Sequence, residues 1–314
     1  MMELVPVNPA LSIGRDSSQM ALTKVQRWHP NFDPDPIYGE ILHAVAGHRP
    51  TSDYSVIAHG SAIWGGRTVM RNGFPVSDVD ILVIGLGQPG LITAARALYL
   101  VSKPFLIPEM PFFKLGVKFR TVEEITSNRI TVNELGALRH GKLLCGRSEF
   151  EVYRPHPRWF HSQARLSVRT RIAYDAKQRE RIRNDRFERP LSRYLAARVL
   201  LDIPTLALVT KGILGNDYTA RVRQFLQMFE SFPQMDPGSD KELAATLNEA
   251  LRTKHDPENH QCGTVERAIV RLLDYTTRLG IGPIAPIDTT DKFWEQERPL
   301  DLRDQGIWRE AAGG

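Results

Sequence analysis

Short apolar runs alternate with helical patterns in the first half of the chain, and helical patterns dominate the second half. Four of these runs predict strands, at residues 54–59, 79–84, 115–120 and 142–145. Their length, their flanking turn residues or their period-two alternation indicates this. The helical patterns beside them cover residues 37–48, 91–101 and 133–140. This order of elements predicts a small mixed β-sheet backed by helices.

The pattern becomes helical after the proline-containing stretch at 147–158. Apolar residues then recur at helical spacing over residues 160–183, 191–211, 218–232, 239–252 and 263–279. Pro204 lies within the second of these segments and is expected to kink or break that helix. We therefore predict a helical bundle beside the sheet.

Together these patterns predict an α+β fold with four regions. In chain order they are an irregular N-terminal lead at 1–36, a sheet-containing core at 37–150, a helical domain at 159–280 and an irregular C-terminal tail at 281–314. A chain of 314 residues is long enough for two domains that each have a core.

The candidate chemistry lies where the first two predicted strands end and begin. The first strand runs into Gly60-Ser61, and the second is introduced by Asp78 and Asp80. Side chains two residues apart in a strand point to the same face, so both carboxylates are expected to project together. Paired carboxylates bind Mg²⁺ through oxygen, and the N–H groups of a Gly-Ser turn suit phosphate oxygens. The pattern therefore predicts a site for a metal-bound nucleoside triphosphate (NTP).

Gly60-Ser61 followed by Asp78-x-Asp80 resembles the motif of the DNA polymerase β superfamily of nucleotidyltransferases, which includes the minimal and aminoglycoside nucleotidyltransferases. The resemblance covers about residues 54–146. It implies a nucleotidyltransferase core in which Gly60 and Ser61 hold the triphosphate and Asp78 and Asp80 hold two Mg²⁺ ions, with Mn²⁺ as an alternative. It also implies transfer of a nucleoside monophosphate from an NTP to an acceptor hydroxyl, with release of pyrophosphate.

The superfamily places a third carboxylate on a neighbouring strand, and here the sequence departs from it. The corresponding face of the predicted strand 115–120 presents Gly116, Lys118 and Arg120. The nearest acids in the sequence are Glu109, Glu123 and Glu124. Two interpretations stay open. Another acid completes an active site, or the fold is catalytically degenerate, with Lys118 near the Asp pair, and binds NTP or RNA or serves as a partner subunit.

Basic residues provide two further candidates. The resemblance implies that Lys211, at the end of a predicted helix, faces the triphosphate, although the helix dipole favours a cation there without any ligand. Arginines and lysines are also dense between Arg165 and Arg193. They predict either a ridge that attracts a phosphate-rich acceptor or an ordinary solvated surface.

The composition adds a mild preference for anionic partners. The net charge of +5 and the isoelectric point near 9.2 favour nucleotides or nucleic acid, with a merely solvated surface as an equal alternative. The acceptor stays open between a small molecule, RNA and a protein hydroxyl, and so does the oligomeric state.

The apolar runs and cysteines bear on location. No apolar run approaches the ~20 residues that span a bilayer, and the first residues lack the pattern of a signal peptide. The two cysteines, Cys145 and Cys262, suit a reducing compartment. We therefore expect a cytoplasmic protein that does not bind membranes.

Overall fold

The structure is a computed structural model. It describes residues 53–64, 68, 78–102, 115–127, 129–146, 156–182, 188–214, 217–229, 232, 240–281 and 306–307. The predicted lead at 1–36, the predicted helix at 37–48, Glu109 and nearly all of the predicted tail lie outside the described residues.

In the part of the chain that the structure describes, four strands form one mixed sheet. They are β1 (Tyr54–His59), β2 (Val79–Gly85), β3 (Leu115–Thr121) and β4 (Lys142–Cys145), in the spatial order β3-β2-β1-β4. β1 pairs antiparallel with β2 and β4, whereas β2 and β3 are parallel. Val and Ile make up four of the seven residues of β2 and two of the six residues of β1, and their side chains suit a buried pleated surface. The predicted small mixed sheet is confirmed.

Among the described residues, four helices accompany the sheet. They are α1 (Ser61–Trp64), α2 (Gln88–Ser102), α3 (Val122–Thr126) and α4 (Val132–His140). The last two begin at capping boxes, in which Thr121 pairs with Glu124 and Thr131 with Glu134. Each box satisfies two backbone N–H groups that would otherwise lack a helical partner, so it fixes where the helix starts.

The second half of the chain is helical, as predicted. Its helices are α5 (Pro157–Ile182), α6 (Glu188–Thr210), α7 (Tyr218–Gln227), α8 (Asp240–His255) and α9 (Val265–Arg278), which we call the helical part. α6 is apolar on several sides and packs against the other four helices. Such a helix is buried rather than amphipathic. It forms the centre of the helical part.

Pro204 does not interrupt α6. The helix runs without a break from Glu188 to Thr210. Of the predicted kink or break at Pro204, the break is therefore wrong, and the kink stays a prediction. Proline removes one backbone hydrogen bond and crowds the preceding turn, at a cost of about 3 kcal/mol. Fourteen residues of α6 are buried, and burying one large apolar side chain contributes about 1.5–3 kcal/mol. Packing therefore outweighs the local preference of proline.

The architecture is thus α+β, with a small sheet and a larger share of helix. The division into a core and a separate helical domain stays a prediction. None of the described helices is both long and apolar enough to cross a membrane.

Candidate functional site

A cleft of about 480 Å³ lies between the sheet and the helical part. Four of the residues singled out from the sequence line it, namely Gly60, Ser61, Asp78 and Asp80. The rest of its lining comes mainly from β1, α1, β3 and α4 and from all the helices of the helical part except α9. The two short motifs therefore meet in one cavity, as their pattern predicted.

The Asp80 carboxylate lies next to two glycines, Gly60 and Gly116. In the sheet register His59 on β1 and Gly116 on β3 both stand opposite Asp80. A Cβ added at Gly116 would lie 2.9 Å from Asp80 Oδ1, and one added at Gly60 would collide with Asp80 Oδ2. Gly60 also has a φ of +79°, a conformation that glycine adopts most easily. The absence of a side chain at Gly60 and Gly116 therefore leaves room for this carboxylate.

Asp78 stands one step before β2, and its Oδ1 atom is buried. With Asp80 it offers carboxylate oxygens at one end of the sheet, where both side chains line the cleft. Among the described residues no group of three or more His, Cys, Asp or Glu side chains is arranged to hold a metal ion. Mg²⁺ is commonly bound by one or two carboxylates, with substrate phosphates and water completing the octahedron. The Asp pair fits that type of site.

Glu134 is a further carboxylate on the sheet side of the cleft, and the sequence did not point to it. Glu134 in the first turn of α4 is only 3% exposed, and its Oε1 lies 2.5 Å from the Arg120 guanidinium. Its Oε2 accepts a hydrogen bond of 2.7 Å from the Thr131 backbone N–H. The motif Thr131-x-x-Glu134 signals only a helix start. Glu134 is thus held by Arg120 and the helix cap.

Glu123 and Glu124 lie at the other end of β3 from the Asp pair. Thr121 ends that strand, five residues beyond Gly116, which corresponds to about 16 Å at the usual strand rise. Glu124 accepts a hydrogen bond from the Thr121 backbone N–H, and Glu123 pairs with Arg129. Neither lines the cleft, so the structure does not bring these two candidates to Asp78 and Asp80.

Lys211 does not line the cleft either. Its Nζ lies 5.3 Å from the centre of the Phe232 ring, and the side chain is exposed. The end of α6 therefore carries this cation on a different surface from the one that the resemblance implied.

Three arginines of the basic stretch between Arg165 and Arg193 have structural roles. Arg165 donates to the Ile281 carbonyl at 2.7 Å, and Arg193 donates to the Glu258 carbonyl at 3.0 Å. Arg171, which lines the cleft, forms an ion pair of 2.5 Å with Asp202 on α6. These contacts tie helices and loops of the helical part together.

On its helical side the cleft is lined by three cations besides Arg171, namely Arg198, Arg221 and Lys254. Lys254, in the last turn of α8, is 2% exposed, and its backbone carbonyl accepts a hydrogen bond from Thr68. Burial, reinforced by the nearby arginines, lowers the pKa of Lys254 to about 7, against the opposing effect of Asp217. No local motif marks these residues, because their proximity arises only from helix packing.

His59 and Trp64 shape the sheet side of the cleft. Burial lowers the pKa of His59, although the carboxylates of Asp80 and Glu134 act in the opposite direction. The imidazole is therefore neutral at neutral pH. Trp64 Nε1 donates to the His140 carbonyl at 2.7 Å and so anchors the short helix α1 to the end of α4.

We expect Gly116→Ala to weaken Mg²⁺-dependent NTP binding about tenfold or more while the protein still folds. The new methyl group would displace the Asp80 carboxylate, and about 1.4 kcal/mol of lost interaction is tenfold in affinity. Gly136→Ala is the matched control, because Gly136 also lines the cleft but nothing lies within 4 Å of its added Cβ.

The control should bind normally and gain about 0.5–1 kcal/mol in the free energy of unfolding, because alanine is the better residue in a helix interior. Calorimetric titration and urea unfolding measure the two quantities. Equal NTP affinities of the two variants would show that the position of Asp80 does not matter for binding.

Comparison of the chain with models of known protein families gives no match, and comparison with curated proteins gives no significant match.

Proposed function

We propose that this protein is a metal-dependent nucleotidyltransferase, with a nucleotidyltransferase core and a helical domain that close on a common cleft. The observation that carries the proposal is the meeting of Asp78 and Asp80 with Gly60-Ser61 in a cleft whose helical side presents basic residues. Carboxylates, a Gly-Ser turn and cations in one cavity suit a metal-bound NTP.

Asp78 and Asp80 would hold the Mg²⁺ ions, and Gly60 and Ser61 would contact the triphosphate through backbone N–H groups and the Ser61 hydroxyl. When bound, the metal neutralises charge on the phosphates and on the attacking and leaving oxygens. Arg198, Arg221 and Lys254 would attract the triphosphate from the helical side. This is the role that the resemblance implied for Lys211.

The proposed reaction is one displacement at phosphorus. The oxygen of an acceptor hydroxyl forms a bond to the α-phosphorus, and the bond from the α-phosphorus to the bridging oxygen of the β-phosphate breaks. Pyrophosphate leaves with the electron pair, and the proton of the hydroxyl is released to solvent. The acceptor is a small molecule, an RNA or a protein, and the cleft between the sheet and the helical part would position it.

One observation favours a second candidate function. Gly116 rather than an acid stands beside Asp80 on β3, and Glu134 is held by Arg120 and Thr131. A protein on the same fold that binds NTP or RNA, or that serves as a partner subunit without catalysis, would explain this arrangement. It predicts NTP binding without pyrophosphate release.

Incubation with each α-labelled NTP, Mg²⁺ and a cell extract tests the two candidates. A nucleotidyltransferase transfers label to a new product and releases pyrophosphate, and it loses both in the Asp78→Asn/Asp80→Asn variant. NTP binding with neither product nor pyrophosphate would reject the enzyme and leave the binding protein.

A further inference from the structure

Besides Arg171, which pairs with Asp202, three basic side chains from three different helices line the helical side of the cleft. They are Arg198 on α6, Arg221 on α7 and Lys254 on α8. Like charges held near one another in a partly enclosed space raise the free energy of the folded state, and a bound anion relieves that cost. This part of the cleft is therefore suited to an anionic ligand.

Lys254 differs from the two arginines because it can lose its charge. Its side chain is almost completely buried, and its Nζ lies 5.4 Å from the centre of the Tyr218 ring. α6 and α7 pack against α8 within the described residues, and they bring Arg198, Arg221 and the carboxylate of Asp217 toward it. Arginine stays protonated at any physiological pH, whereas the charge of a buried lysine depends on its surroundings.

The balance among these groups favours the neutral amine. Burial is the largest effect, the two arginines act in the same direction, and Asp217 opposes them. Because the resulting pKa is about 7, a substantial fraction of the free protein carries an uncharged Lys254 at neutral pH. A polyanion placed beside the amine would reverse this balance, since an opposite charge nearby favours the protonated form.

We propose that binding of a polyphosphate group in the cleft is coupled to uptake of one proton by Lys254. The inference rests on the proposed function for the identity of the ligand, which there is the triphosphate of an NTP. The proton comes from solvent and adds to the lone pair of Nζ, so the only covalent bond formed is N–H. The resulting ammonium group then donates to phosphate oxygens as a charge-assisted partner.

The coupling gives the affinity a defined pH dependence. Well below pH 7 the free protein already holds the proton on Lys254, so binding takes up none. Above pH 7 the free protein holds a neutral amine, and binding must take up a proton. The affinity should therefore fall with rising pH by up to about tenfold per unit, until the pH passes the pKa of the complex.

The test uses inorganic tripolyphosphate without metal, titrated calorimetrically at pH 8 in two buffers of different ionisation enthalpy. The comparison between buffers yields the number of protons taken up. We expect Lys254→Arg to take up about 0.9 proton fewer than the wild type, because arginine is charged in both states. Protonation of tripolyphosphate itself is common to both proteins and cancels in the difference.

Equal proton uptake by the wild type and Lys254→Arg would overturn the proposal, as would failure of the wild type to bind millimolar tripolyphosphate. Lys254→Met is a second variant in case arginine does not fit the buried position, and proton uptake that persists in it also overturns the proposal. Circular dichroism and thermal unfolding verify that each variant is folded.

The experiment separates the proton coupling at Lys254 from the proposed nucleotidyltransferase activity. The probe carries no metal and therefore does not require Asp78 or Asp80. Equal proton uptake together with Asp-dependent binding of Mg²⁺-NTP would reject the coupling alone. Proton-coupled binding of tripolyphosphate without any binding of Mg²⁺-NTP would reject the nucleotidyltransferase and leave an anion site.

Discussion

Replacing Asp78 and Asp80 together by asparagine is expected to lower the affinity for Mg²⁺-NTP by about 100-fold or more. Both carboxylates line the cleft, and a contact to a charged group is worth about 1.5 kcal/mol or more. Two such contacts therefore correspond to at least about two factors of ten. Asparagine has nearly the same shape as aspartate, so Gly60 and Gly116 still accommodate it and the fold should persist.

Calorimetric titration of NTP with and without Mg²⁺ measures this effect, and urea unfolding verifies the fold. Asp274→Asn is the matched control, because Asp274 pairs with Arg278 on the exposed side of α9 and does not line the cleft. The control should bind as the wild type does. Metal-dependent affinity that survives in the double variant would remove Asp78 and Asp80 from the site.

The largest expected effect on stability belongs to the ion pair between Arg120 and Glu134. We expect Arg120→Met to lower the free energy of unfolding by about 3–5 kcal/mol, because it leaves the Glu134 carboxylate buried without its charged partner. Urea unfolding measures the change. Arg278→Met is the control, since it breaks an exposed ion pair and should cost about 1 kcal/mol or less.

The double variant Arg120→Met/Glu134→Gln tests the cause of that loss. Glutamine keeps an oxygen that can accept from the Thr131 backbone N–H but removes the buried charge. We expect the double variant to be more stable than Arg120→Met alone, with an interaction energy of about 1–3 kcal/mol. If the double variant is as unstable as the sum of the single changes, the ion pair is not the source of the loss.

The elements that the sequence predicted correctly are those that depend on local pattern. The strand patterns lie within a few residues of the observed strands, because alternation and turn residues are read within one element. The meeting of Gly60-Ser61 with Asp78 and Asp80 was also predictable, since two strands that pair as neighbours bring their ends together. His59 directly opposes Asp80 in that register.

The parts of the site that could not be predicted depend on packing between distant segments. Lys254 lies more than 170 positions from Asp80, and its place in the cleft follows from how α8 packs on α6. Glu134 belongs to a capping motif, which indicates a helix start and says nothing about a buried arginine partner.

The sequence predicted the position of Lys211 at a helix end but not the surface that its side chain faces. Its position near the end of α6 was predictable, because glycine commonly ends a helix and Gly212 follows directly in the sequence. In the structure Gly212 has a φ of +72°. The direction of its side chain was not, because that depends on the placement of Phe232, more than twenty residues later.

The central claim is that Asp78 and Asp80 hold a metal-bound NTP, and a crystal structure with Mn²⁺ and a non-hydrolysable NTP tests it most directly. Manganese gives an anomalous signal that locates each ion without reference to the protein density. We expect a peak about 2.1–2.2 Å from carboxylate oxygens of both aspartates, with the triphosphate between Gly60-Ser61 and Lys254. A nucleotide bound without metal at this pair, or Lys118 Nζ standing between the two carboxylates, would contradict the account.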